Sequence, residues 1–248
     1  MFRIGIFLIA LFFMADAKNI EVDFSVEYGI VGEVAKSHST LITKEKSYIF
    51  ESTVDVVGKI AKIVTGNLKE RHISKGHIKN SLFVSDMYQV IKSYEQYTST
   101  TIYRINHKKK TVTRTYKKWE NGKEIIEEKR ILNYYSRNDM ITLLLNLPKH
   151  IKHKYKSKEY KFKAVGADRK NGRVDIVIPT HENLKAIKNL LDKDKSNKGD
   201  WYCKVVMHRK LYNSEKGELL IKIDQDGIVD SVVLKDLIFF GDIRIIRQ

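Results

Sequence analysis

The chain has 248 residues, with 46 Lys and Arg against 30 Asp and Glu, a formal charge of +16, one cysteine and two prolines. A single cysteine excludes an intramolecular disulfide, and the scarcity of proline and glycine excludes a fibrous or low-complexity chain. With 42% hydrophobic residues, the chain is long enough to bury a core without staples.

Residues 1–17 read as a secretory signal. Arg3 supplies the positive charge, residues 4–13 are an apolar run, and Ala15-Asp16-Ala17 is a small-x-small triplet before the polar Lys18-Asn19. The apolar run is too short for a membrane span, which takes about 20 residues. The expectation is cleavage after Ala17, a periplasmic location, and peripheral membrane contact at most. Residues 18–248 are expected to form one β-rich domain.

From there the dominant period is two. Val22, Phe24, Val26 and Tyr28 alternate with Glu21, Asp23, Ser25 and Glu27, as on a strand with one dry face. Further strands are expected at residues 48–57, 81–94, 100–106, 110–119, 160–165, 173–179, 200–209, 218–224 and 228–240. These runs are rich in Val, Ile, Thr, Tyr and Phe. Asn121-Gly122, Asn171-Gly172 and Asp226-Gly227 stand between them and tolerate the positive φ of tight hairpins. Two short helices interrupt the pattern. One covers residues 138–147, stopped by Pro148, and the other covers residues 181–191 with Leu184, Ile187, Leu190 and Leu191 at helical spacing. The fold class is mainly β: a strongly curved antiparallel sheet, or an open half barrel, with two short helices.

No catalytic motif and no cofactor-binding motif is present, and the chain reads as a non-enzyme without a cofactor. His72 and His77 are five apart, which puts them on opposite faces of a strand. His150 and His153 stand among lysines without a nearby carboxylate. No metal site is assigned. Cys203 sits in a strand-like run and reads as a small core residue.

The basic clusters are the clearest signal. Lys108, Lys109 and Lys110 fit a hairpin tip, continued by Arg114, Lys117 and Lys118. Residues 149–163 carry seven lysines and one glutamate. Lys152, Lys154, Lys156 and Lys158 alternate, so an extended chain presents all four on one face. These residues are expected to contact anions. Tyr155, Tyr160 and Phe162, interleaved with them, are the expected apolar contacts. Outside the cytoplasm the partner is not nucleic acid but a lipid or an anionic envelope polymer. The competing role for such lysines is protection of strand edges.

Several motifs resemble an uncharacterised family of exported bacterial proteins, catalogued only as a domain of unknown function. They are Tyr28-Gly29-Ile30-Val31-Gly32, Val56-Val57-Gly58 and Gly66-Asn67-Leu68-Lys69-Glu70-Arg71-His72. Towards the end come Gly217-Glu218-Leu219, Asp224 with Asp226-Gly227, and Phe239-Phe240-Gly241-Asp242-Ile243. The helix near Asp139 fits the family's middle. The resemblance implies a periplasmic, strongly curved antiparallel sheet, similar in shape to half-barrel carriers of acyl chains. It implies no catalytic residue. The expected function is non-enzymatic binding of a lipid or anionic envelope component. The alternative is an assembly factor that binds a protein or cell-wall partner through exposed strand edges.

Overall fold

The computed structural model describes residues 19–167, 170–192, 196–207, 218–235 and 242–248. The signal segment, the expected strand ends at 208–209 and 236–240, and motif residues 217 and 239–241 lie outside them.

The first half of the chain forms β1 (Asn19–Tyr28), β2 (Gly32–Lys44), β3 (Ser47–Val56), helix α1 (Lys59–Thr65) and β4 (Lys69–Lys79). It continues with β5 (Leu82–Tyr94), β6 (Tyr97–Asn106), β7 (Thr111–Glu120) and β8 (Lys123–Ile131). Then follow helix α2 (Met140–His150), β9 (Lys158–Lys163), β10 (Arg173–Ile178) and helix α3 (His181–Leu191). The last strands are β11 (Trp201–Met207), β12 (Glu218–Ile223), β13 (Val229–Leu234) and β14 (Ile243–Arg247).

All fourteen strands join one sheet in the order β8-β7-β6-β5-β4-β3-β2-β1-β14-β13-β12-β11-β10-β9, every pair antiparallel. The sheet is open: β8 and β9 are its two edges and do not pair.

The inner face carries the core. Phe24, Val26, Val54 and Val56 of the first half meet Ile176, Trp201, Cys203, Ile221 and Val232 of the second, with α2 between them. Residues 140–147 of α2 are all buried. A helix apolar on every side needs cover on every side, and the curled sheet supplies it. Met140, Leu143, Leu144 and Leu147 face one cluster, while Ile141 and Leu145 face Tyr48, Phe50, Phe83 and Tyr88.

Asp139 starts α2 and fastens it to the sheet. Its carboxylate accepts from the Thr142 backbone N–H at 2.8 Å, and the Thr142 hydroxyl accepts from the Asp139 N–H. This is a capping box. The same carboxylate accepts from Ser74 of β4 at 2.6 Å and Ser85 of β5 at 2.7 Å. Burial outweighs these bonds and pushes the Asp139 pKa up. Further along, the Asn146 amide bonds both the N–H and the C=O of Phe83.

Between β8 and α2, residues 132–139 cross back towards the second half. Leu132 N–H donates to Val112, the Ser136 hydroxyl to the Lys163 carbonyl, and Val165 N–H to Asn138. The two halves therefore pair strand to strand only at β1 and β14, and on the open side, between the edges β8 and β9, they meet through this segment. Helix α3 lies on the outer face, where Leu184, Ile187, Leu190 and Leu191 cover Tyr202, Leu220 and Val233.

The expected mainly-β, curved sheet is what forms, with three α-helices among the described residues rather than two. Asn121-Gly122 makes the two-residue hairpin between β7 and β8, with φ of 49° and 79°. Asn171-Gly172 does not make one, because residues 164–172 separate β9 from β10. Pro148 lies inside α2, not after it. In the last turn a proline forfeits only one helical bond, and the helix closes with Ile151 N–H donating to Leu147 at 2.9 Å.

Candidate functional site

The hairpin tip expected at Lys108, Lys109 and Lys110 is present between β6 and β7, and all three side chains are exposed. Asn106 starts the turn by accepting from the Lys109 N–H at 2.8 Å. Lys110 closes it at a φ of 52°.

The continuation of this cluster along β7 is different. Arg114 is not an exposed anion contact: it is 5% exposed, faces inward, lies over Tyr116 and pairs with Glu128 at 3.3 Å. Lys117 pairs with Glu124 at 3.0 Å and Glu127 at 3.2 Å. Lys118 lies over the Tyr97 ring, 3.9 Å from its centroid. At about 3.3 Å per residue, Lys117 is about 23 Å along the strand from Lys110. The structure therefore does not bring these six residues into one patch.

The second cluster also departs from the expected form. Residues 152–157 run through bends and turns, so Lys152, Lys154, Lys156 and Lys158 do not share a strand face. Pro148 and the end of α2 feed this stretch directly into a loop. Lys152, Lys156 and Lys158 are exposed, whereas Lys154 is half-buried over the Trp201 ring at 5.5 Å. The three interleaved aromatics separate as well. Tyr155 is 73% exposed and donates to the Gly199 carbonyl at 3.1 Å. Tyr160 and Phe162 stack on one another and pack against the core.

Sheet topology joins what the sequence keeps apart. In an all-antiparallel sheet, strand directions alternate. Following that alternation from β6 to β9 puts the end of β6 and the start of β9 at the same end of the molecule. The tip 107–110 and the loop 152–158 therefore share one end. Among the described residues, Lys108, Lys109, Lys110, Lys152 and Lys156 form no ion pair. That end carries these five cations without a carboxylate partner.

Two histidine arrangements start from β4. On the inner face, His72 bonds Glu70 at 3.0 Å and the Tyr88 hydroxyl at 3.0 Å, and Lys92 closes on Glu70 at 2.5 Å. The connectivity of carboxylate, imidazole and hydroxyl is that of an activated nucleophile. However, Glu70, His72 and Tyr88 are 3%, 3% and 2% exposed, so no substrate reaches them. The relay fixes β4 to β5 instead.

His77 turns the other way, as the strand period requires. It pairs with Asp86 at 3.0 Å, and Asp86 in turn pairs with His107 at 3.0 Å. His150 and His153 form no common site: His150 lies against Phe162, where burial pushes its pKa down, and His153 is exposed. The sequence joins His77 to neither Asp86 nor His107. Nothing local marks their meeting, since it depends on the register of three strands.

The chain matches no protein-family model. No curated protein matches it significantly. Among solved structures it is similar to a β-barrel-like protein of domain of unknown function DUF1849 from Brucella abortus. The two share 8% identity over 93% of this chain and 94% of that one, with a TM-score of 0.42.

Proposed function

We propose that the protein is a non-enzymatic, exported envelope protein that docks its basic end onto an anionic membrane surface from the periplasmic side. The observation that carries this reading is that strand alternation puts Lys108, Lys109 and Lys110 at the same end of the sheet as Lys152 and Lys156, all five exposed and without an ion pair among the described residues. Each lysine near an anionic surface contributes about 1 kcal/mol, screened over a Debye length of about 8–10 Å. An apolar ligand inside the sheet fits less well, because α2 occupies the concave side and Tyr160 and Phe162 pack into the core.

The test is co-sedimentation with phosphatidylglycerol vesicles and with phosphatidylcholine vesicles. Binding to the first alone is expected, and salt should weaken it. The triple variant Lys108→Gln, Lys109→Gln, Lys110→Gln should bind roughly a hundredfold more weakly. Equal binding to both vesicle types, or none to either, overturns the reading.

A second reading rests on β8. This edge strand is exposed along its whole length, and Ile125, Ile126 and Ile131 are 44%, 37% and 68% exposed. A protein partner adding a strand there would cover both the open backbone and the isoleucines. A photo-cross-linker placed at Ile125 would then capture one dominant envelope protein. A diffuse ladder of products would rule that out.

A further inference from the structure

We propose that His77, Asp86 and His107 form a binding site for a divalent late transition-metal ion of the zinc class. His77 Nδ1 and His107 Nε2 stand 3.1 and 3.0 Å from the same oxygen of Asp86, Oδ1. All three donor atoms lie within 4.8 Å of one another. Ligands held about 2.1 Å from a shared ion, at tetrahedral or octahedral angles, stand about 3.0–3.4 Å apart. Two of the three separations are already at that value. The imidazoles meet edge to face at 5.5 Å between centroids, so a small rotation closes the third.

The arrangement is built rather than incidental. His77 comes from β4, and His107 comes from the turn after β6. Asp86 is the extra residue of a bulge in β5: Lys75 pairs with Met87 and Gly76 with Ser85, which leaves Asp86 between them. Bulges re-aim side chains and gather beside functional sites. Gly76 makes this one possible, since a Cβ there would stand 1.9 Å from the Val84 carbonyl oxygen. Behind the cluster, His107 Nδ1 meets the Tyr135 hydroxyl at 2.8 Å. A metal-bound imidazole takes such an outer partner to fix its tautomer and ring plane.

The donor set defines the ion. Two neutral imidazoles and one carboxylate suit zinc and its neighbours, whereas calcium and magnesium ask for oxygen ligands. Lys108, Lys109 and Lys110 stand next in sequence to His107 and are exposed. Their charge disfavours any cation held by electrostatics alone, which selects further against the hard ions. Three protein ligands leave a position for water or an anionic ligand.

The test is zinc titration of the chelator-stripped protein against a competing indicator, with magnesium as the control ion. One equivalent of zinc should bind, and magnesium should not displace it. The double variant His77→Ala, His107→Ala should bind at least tenfold more weakly, and Tyr135→Phe about tenfold more weakly. His38→Ala, which breaks a separate histidine–aspartate pair with Asp23, should bind as the wild type does. Cobalt uptake adds a readout that a purely structural cluster would not give. Its visible absorption should appear in the wild type and vanish in Asp86→Asn, with circular dichroism unchanged. Equal zinc affinity in the wild type and the double variant overturns the site, as does an equal loss in His38→Ala. This site stands independently of membrane docking, and the vesicle experiment does not touch it.

Discussion

Lys222 Nζ lies 3.2 Å from Asp200 Oδ2, and both side chains are only 2% exposed. Asp192 at 3.3 Å and Asp230 at 3.1 Å complete a shell of three carboxylates around one ammonium, beneath the C-terminal end of α3. Burial opposes the charge, but Asp230 and Asp200 outweigh it and hold the ammonium above the usual lysine value. Removing one partner of a buried pair costs about 3–5 kcal/mol, because the other is left uncompensated. Lys222→Met should therefore lower stability by about that much in urea titration, and Tm by roughly 10 °C. A loss under about 1 kcal/mol would show that the aspartates relax into water.

Glu70 gives a pH signature. Burial alone would raise its carboxyl, but Lys92 and His72 overcome that and hold it below the ordinary glutamate value. A depressed folded-state pKa means that the unfolded chain binds more protons. The stability it contributes is full above the unfolded value of about 4.3 and is lost as pH falls through the folded value. Glu70→Gln should cost about 1–3 kcal/mol at neutral pH. Its Tm should then fall less steeply than that of the wild type as pH drops from about 6 to 3. Parallel curves would mean that Glu70 is not ionised in the fold.

Two glycines separate steric need from conformational need. At Gly76 a Cβ would collide with backbone, so Gly76→Ala should lose about 3 kcal/mol or more and disturb Asp86 with it. At Gly122 nothing lies within 4 Å, but φ is +79°. Gly122→Ala should therefore cost only about 1 kcal/mol. Denaturant titration of the two variants ranks them, and the reverse order would contradict the bulge.

Cys203 is fully buried, and burial pushes its thiol up to about 12. The thiolate is the reactive form. Ellman's reagent should leave the folded protein unlabelled and take one equivalent after unfolding in guanidinium. Fast labelling of the native state would place the thiol at a surface.

The strands that were legible in the sequence bury aliphatic or aromatic residues on alternate positions, as β1 and β3 do. Three of those that were not, β2, β4 and β8, have a different inner face, while β14 is too short to show its alternation. In β2 the inward positions include Ser37 and Ser39, joined to Ser52 of β3 by side-chain hydrogen bonds, so their burial leaves no apolar trace. In β4 the inward residues are Glu70, His72 and Ser74, each satisfied by a partner from another strand or helix. β8 has no dry face at all, so no alternation marks it. The lysine clusters were legible as composition. Their common position was not, because it depends on strand order, and the burial of Arg114 depends on the inward face of β7.

Every neighbouring pair in the sheet is also consecutive in sequence, except β1 with β14. β1 thus precedes every other described strand in the chain, and one of its two partners follows them all. Until Ile243–Arg247 emerges, the growing chain carries an unfilled strand slot at the middle of its future sheet, beside Phe24 and Val26. The half from β1 to β8 can zip hairpin by hairpin as it appears, and so can the half from β9 to β13. The joining of the two waits for β14. Over that interval the unpaired edge of β1 is a template for strands of other molecules.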